Sequence, residues 1–166
     1  MHGNALDNVL DGGAGGSDQI NGADGSDTAS YAFSRRGVLI NLASQATADG
    51  VDSDTLSSIE NAIGSKFADR IVAGADANRL EGSDGNDTFV FRRGHANSDI
   101  VVDFNGNGGA AGDSFELIGF DTLADGASLT QLDGTHWRIN SADGSAHEII
   151  TLTNGAIIDQ SDFVFI

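Results

Sequence analysis

The chain has neither cysteine nor proline in its 166 residues. Without cysteine there are no disulfides, no thiolate metal sites and no cysteine nucleophile. Positive charge is scarce: 8 Lys+Arg stand against 25 Asp+Glu, a formal net charge of −17, with a pI near 4.1. So few cations exclude a nucleic-acid partner, because a phosphate backbone is gripped by Lys and Arg. No apolar run approaches the ~20 residues a membrane-spanning helix needs. Apolar residues make up only 39% and aromatics 7%, below the globular norm, so a wide hydrophobic core is out of reach. A narrow one is not. Like charges at this density oppose compaction, which leaves two outcomes, neutralisation by bound cations or disorder.

What the chain does have is 23 glycines, and they recur. On a nine-residue frame, G-G-x-G-x-D-x-U-x with U a large apolar residue, Gly13–Asn21 and Gly22–Ser30 follow back to back. Gly64–Val72, Ala73–Glu81 and Gly82–Val90 form a second uninterrupted run. Degenerate copies stand at Gly3–Asp11 and Gly94–Val102. The sixth place holds Asn8, Asp18, Asp27, Asp69, Asn78, Asp87 and Asp99; the eighth holds Leu10, Ile20, Ala29, Ile71, Leu80, Phe89 and Val101.

This spacing has a physical logic. Glycines early in each copy permit positive φ, so six residues reverse the chain. The last three form a short strand whose one apolar side chain points inward. Two copies make one coil, and stacked coils make parallel sheets about one strand spacing (~4.8 Å) apart. Acidic loops two copies apart then lie over one another, as for Asp69 with Asp87, Asn8 with Asp27 and Asn78 with Asp99. Asp18 is expected to lack such a partner, since the residue 18 places on is Arg36. Facing carboxylates and loop carbonyls offer the hard oxygens that Ca²⁺ prefers. The expected ligands are the seven sixth-place side chains, supplemented by the carbonyls of Gly13, Gly15, Gly22, Asp24, Gly64, Gly82 and Asp84. Left without a cation, such carboxylates repel.

These nonapeptides resemble the calcium-binding repeats of the RTX family, carried at the C-terminal ends of exported bacterial proteases, lipases, toxins and alginate epimerases. The middle stretch is similar too, in Asp27-Thr28-Ala29-Ser30-Tyr31-Ala32, Gly37-Val38-Leu39-Ile40-Asn41-Leu42 and Asp54-Thr55-Leu56-Ser57-Ser58-Ile59-Glu60-Asn61. The resemblance implies an all-β fold, a right-handed parallel β-roll of stacked coils, irregular over 31–63, followed by a C-terminal antiparallel cap. It also implies several Ca²⁺ ions. Leu6, Phe67 and Asp76 replace the fourth-place glycine of their copies, and Asn8 and Asn78 replace Asp; calcium sites there are expected to be weaker or absent.

Beyond Val102 the period is lost, which divides the chain into a roll over 1–104 and a closing region over 105–166. Asp103-Phe104, Gly106–Gly112 and Asp113–Phe120 resemble the segment that closes many RTX rolls. Asp103 and Asp113 complete a terminal calcium site or lie in a solvated loop. The glycine loop is no phosphate cradle, having neither G-x-G-x-x-G nor a Walker lysine. Residues 128–152 alternate apolar and polar, with turns at Asp133-Gly134 and Asp143-Gly144; Leu129, Leu132, Trp137, Ile139, Ile149 and Leu152 fit hairpin strands. Trp137 reads as cap core rather than a sugar platform.

No catalytic residue is assigned. The four histidines fall in no metal spacing, G-x-S-x-G is missing, and the acidic window 49–60 lacks the EF-hand glycine. Arg35-Arg36 and Arg92-Arg93 read as solvated turns rather than a basic patch. The tail Asp159–Ile166, acidic and then apolar, resembles the C-terminal signal of type I secretion substrates, and a last cap strand is compatible with it. The start lacks the n- and h-regions of a signal peptide, and the chain is expected to be part of a longer, secreted protein. The resemblance thus implies a calcium-triggered folding and export module served by the type I secretion machinery. The alternative is a module that binds an acidic, alginate-like polysaccharide or adheres.

Overall fold

The computed structural model describes residues 1–48, 53–106 and 112–166. Strands β1 (Val9–Asp11), β2 (Gln19–Asn21) and β3 (Thr28–Ser30) end the first three repeats. In the middle stretch lie β4 (Leu39–Asn41), β5 (Ala46–Ala48), β6 (Thr55–Ser57) and β7 (Asn61–Ile63). The later four repeats end in β8 (Arg70–Val72), β9 (Arg79–Glu81), β10 (Thr88–Arg92) and β11 (Asp99–Val101). There follow β12 (Ser114–Ile118), β13 (Ser128–Gln131), β14 (His136–Asn140), β15 (His147–Leu152) and β16 (Phe163–Phe165). All seven nonapeptide copies therefore turn into strand where the frame expects it.

Successive repeats alternate between two eight-stranded sheets, ordered β1-β3-β7-β9-β11-β15-β14-β13 and β16-β12-β10-β8-β4-β5-β6-β2. Pairing along the repeats is parallel and in phase at the eighth place: Leu10 beside Ala29, Ile71 beside Phe89, Leu80 beside Val101. Ile20, Ala29, Ile71, Leu80, Phe89 and Val101 are all buried; Leu10, at the open end, is only partly so. This is a parallel β-roll around a thin apolar stripe. Burying one side chain per strand suits a chain this poor in apolar residues.

The middle stretch departs from the simple continuation of the roll. β4, β5 and β6 pair antiparallel with one another, then rejoin the roll through β4 beside β8 and β6 beside β2. The excursion changes which residues stack.

The parallel ladder also runs past 104, with β12 on β10 and β16 on β12. The cap is the antiparallel set β13–β14–β15, joined to the roll by parallel pairing of β15 on β11. Trp137 and Ile139 are buried in it. One expectation needs correction. Leu132 lies in the β13–β14 turn and is exposed, because Asp133 terminates the strand by accepting the Thr135 and His136 N–H groups. Ile149 and Leu152 both lie in β15, as the hairpin reading expects, on opposite faces of it. The inward residues of β15 are Glu148, Ile150 and Leu152. A buried carboxylate thus opens that strand.

Candidate metal centre

Each loop carries its sixth-place side chain beneath the strand that follows, and stacking brings these side chains into columns. The backbone N–H of Asn8 donates to Asp27 Oδ1 at 2.8 Å, that of Asp69 to Asp87 Oδ1 at 2.8 Å, and that of Asn78 to Asp99 Oδ1 at 2.8 Å. These are the three pairings expected from spacing. Asp87 N–H continues the column by donating to Asp113 Oδ1 at 2.8 Å, and Val38 N–H donates to Asp69 Oδ1 at 2.6 Å. The expectation for Asp18 was wrong. Its partner is Asp54, whose Oδ1 accepts the Asp18 N–H across 36 residues. The β4–β6 excursion places Asp54 there, and the buried Tyr31 hydroxyl holds it by donating to Oδ2 at 2.7 Å.

Five of the loops fall into two kinds, and the fourth place separates them. Where glycine stands fourth, Gly25 and Gly85 take φ of 122° and 143°, and the second residues Ala23 and Ser83 take 81° and 71°. That conformation is open to glycine and strained for a side chain. It turns the second N–H away: Ala23 donates to Asn21 Oδ1 and Ser83 to Asp103 Oδ2. Where Leu6, Phe67 or Asp76 stands fourth, the second N–H instead closes onto the loop's own sixth side chain. Asn4 donates to Asn8 Oδ1, Ser65 to Asp69 Oδ2 and Gly74 to Asn78 Oδ1.

In these two open loops the sixth carboxylate, Asp27 or Asp87, therefore keeps one oxygen to itself; Asp99, whose copy has Asn97 in the fourth place, does so as well. Among the described residues, Asp27 Oδ2, Asp87 Oδ2 and Asp99 Oδ2 are buried without a hydrogen-bond partner. A Cβ added at the first-place Gly22 or Gly82 would collide with Asp27 Oδ2 or Asp87 Oδ2 respectively, so the glycine keeps a cradle clear beside each.

Electrostatics points the same way. Burial pushes the Asp87 carboxyl up to about 8, with Asp113, Asp69 and Asp103 adding to the rise. Asp99 is pushed to about 7 by burial, with Glu148 contributing. Asp69 and Asp113 are raised by burial as well. Asp103 faces the same site, its oxygens accepting the Gly82 and Ser83 N–H groups at 3.0 and 2.7 Å. A buried carboxylate with acidic neighbours is costly unless a cation joins them. The donors on offer are hard oxygens, which fits Ca²⁺ and not a metal that prefers sulfur or imidazole. Among the described residues no three acidic or histidine side chains converge as a ready cage, so pairs of carboxylates must be supplemented by backbone carbonyls.

Of the carbonyl donors expected, Gly22, Gly64 and Gly82 are buried in the stack, and the Gly22 and Gly82 oxygens face Gly3 and Gly64 of the preceding coil. Gly13 and Gly15 have positive φ, and Asp24 and Asp84 sit at exposed loop tips. The nonapeptide frame missed Asp54, Glu60 and Glu148. Glu60 Oε2 accepts the Asp27 N–H at 2.8 Å, and Glu148 accepts those of Gly94 and Ala96, both at 2.7 Å. None stands in a glycine-rich copy; only the stacking reveals them. Of the histidines, His136 and His147 bond Asp133 and Asn140 at the surface, and half-buried His95 leaves Nδ1 without a partner among the described residues. The EF-hand window and the glycine loop lie partly outside the described residues.

A model of four RTX calcium-binding nonapeptide repeats matches residues 63–95, the stretch that holds β8, β9, β10 and the Asp69–Asp87 pair. The chain carries RTX repeats. Such repeats bind calcium, and of the orphaned oxygens that of Asp87 lies inside the matched stretch. Among solved structures, the R3 subunit AlgE6R3 of the mannuronan C5-epimerase of Azotobacter vinelandii aligns at 19% identity, covering 98% of this chain and 80% of that one, with a TM-score of 0.42. The β-roll is established by strand register, independently of that likeness. No curated protein matches the chain in sequence.

Proposed function

We propose that the chain is a non-catalytic RTX module that folds when calcium binds outside the cell, and that it serves the export and stability of a larger secreted protein. The observation that carries this is the set of buried, unpartnered oxygens on Asp27, Asp87 and Asp99. Leaving such atoms unmatched costs several kcal/mol each, the penalty of burying an unpaired charge, and a shared divalent ion removes that cost. Asp87 with Asp69, Asp103 and Asp113 makes the strongest site. Asp27 with Asn8 and Glu60 makes a second, weaker one.

Extracellular modules need a Kd of only about 10⁻⁴–10⁻³ M, and ion binding then becomes folding free energy by linkage. In the low calcium of a cytoplasm the −17 charge keeps the chain open, which suits a secretion channel. We expect far-UV circular dichroism to report a largely unfolded chain with chelator and cooperative gain of β structure in millimolar calcium. An unchanged spectrum on chelation overturns the proposal.

The tail has two uses in sequence. Unfolded, Phe163–Ile166 serves as the type I export signal; folded, it is β16, with Phe165 edge-on to Phe120 at 6.4 Å. Deleting these four residues is expected to abolish export of the parent protein while leaving most calcium binding in place. Normal export of the truncated chain would reduce the tail to a strand.

A further inference from the structure

Outside the regular repeats, one more acidic pair is buried where the roll meets the cap. Asp99 is fully buried. Its Oδ1 accepts the Asn78 N–H at 2.8 Å, and its Oδ2 has no partner among the described residues. On the neighbouring strand, Asp99 stands beside Ile150. Glu148 precedes Ile150 by two places and so shares its inward face. Glu148 is itself buried, and its two oxygens grip the Gly94 and Ala96 N–H groups in the loop that leads to Asp99. The loop closes on itself through the Asp99 N–H to the Ala96 carbonyl at 3.4 Å. Two buried carboxylates thus bracket the same loop, near enough for the charge of Glu148 to act on Asp99.

We infer that Asp99 and Glu148 share a divalent cation of the calcium class that clamps the antiparallel cap onto the last coil of the roll. This rests on the calcium reading above but lies outside its motif, because the second carboxylate comes from a cap strand and not from a nonapeptide. Asp99 Oδ2 supplies the uncommitted lone pairs. Glu148 can bind through lone pairs its two hydrogen bonds leave free. Loop carbonyls and water complete the 6–8 oxygens that Ca²⁺ takes. The ion neutralises charge at the junction where β15 adds to β11, so it ties the order of the cap to the order of the roll.

The cap carries its own reporter, since Trp137 is the chain's one tryptophan and stands beside Ile150. Asp99→Asn keeps an oxygen for the Asn78 N–H and removes the buried charge. With chelator it is expected to leave the chain as stable as wild type or more so. In calcium it is expected to bind one ion fewer by equilibrium dialysis, and its Trp137 emission change to need roughly tenfold more calcium. Glu148→Gln is expected to lose the same ion. Asp87→Asn, as the control, loses an ion while Trp137 keeps its wild-type midpoint. If Asp99→Asn binds as many ions as wild type, or stabilises the chain equally with and without calcium, the inference fails and Asp99 is a protonated core residue. If wild type binds no calcium at all, it is the general reading that fails.

Discussion

From β1 to β9 the core is a stripe of Ile20, Ala29, Ile40, Ala62, Ile71 and Leu80, while from β10 onward it is built of Phe89, Phe91, Phe104, Phe115, Phe120 and Trp137. Phe104 and Phe115 stack at 4.3 Å, and Phe115 touches Phe89 and Phe91 at 6.0 and 5.7 Å. The early coils bury small side chains and crowd carboxylates. The late region buries large rings that interact beyond their area alone. The difference teaches how two stability sources overlap along one roll: on the calcium reading the first part rests on its ions and a thin aliphatic stripe, while the second adds aromatic packing to its ions.

Removing calcium should give the largest effect. Hydrogen exchange in chelator is expected to strip protection from β1 to β9 and to leave some in β12, β14 and β15. Equal loss along the chain would erase the comparison. Acid should then partly replace the ion. The folded values of about 8 for Asp87 and about 7 for Asp99 lie above the ordinary carboxylate range, so their contribution is full below about pH 4 and is lost as pH rises through 7 to 8. The chelated chain is expected to keep more β structure by far-UV circular dichroism at pH 5 than at pH 8.5, and saturating calcium to remove or reverse that order.

Phe115→Ala is expected to cost about 3–5 kcal/mol, measured by urea unfolding in saturating calcium. A loss below 1 kcal/mol would mean that the rings are not what holds the late region. Asp87→Ala should weaken calcium binding about tenfold or more, and Asp18→Ala less. Asp18 does have a stacked partner in Asp54, but Asp54 is already saturated by Tyr31, Thr47 and the Asp18 N–H, whereas Asp87 has an oxygen to give. Equal losses in a calcium titration would put the site elsewhere. The smallest effect belongs to Glu116→Gln. It breaks the two-pronged pair with Arg70 at 2.6 Å, which lies on the outer surface and remains partly exposed; less than about 1 kcal/mol is expected.

The regular coils were legible in the sequence because glycine, aspartate and one apolar residue recur at fixed offsets. Asp87 over Asp69 follows from counting. The fourth-place departures at Leu6, Phe67 and Asp76 were legible as well, and the structure supplies their mechanism in the closed loops. Counting failed at Asp18, since an antiparallel excursion of unpredictable length separates it from Asp54. It failed at Glu60 and Glu148 for a related reason. Each reaches the column through a long irregular connection, with no local glycine signature to mark it. Leu132 was misread because alternation identifies a strand more readily than it tells where the turn begins.

Six of the seven sixth-place N–H groups point one way, Asp99 turning back to its own loop at Ala96. In Asn8, Asp18, Asp27, Asp69, Asn78 and Asp87 the donor belongs to the earlier coil and the acceptor to a later segment. Each loop is therefore finished by residues nearer the C-terminus. Trimming coils from the front removes donors and leaves the remaining sixth-place N–H groups matched, whereas trimming from the back strands a donor at every cut. The roll has a grain, like a row of shingles laid from one eave, and each course is completed by the one on its C-terminal side.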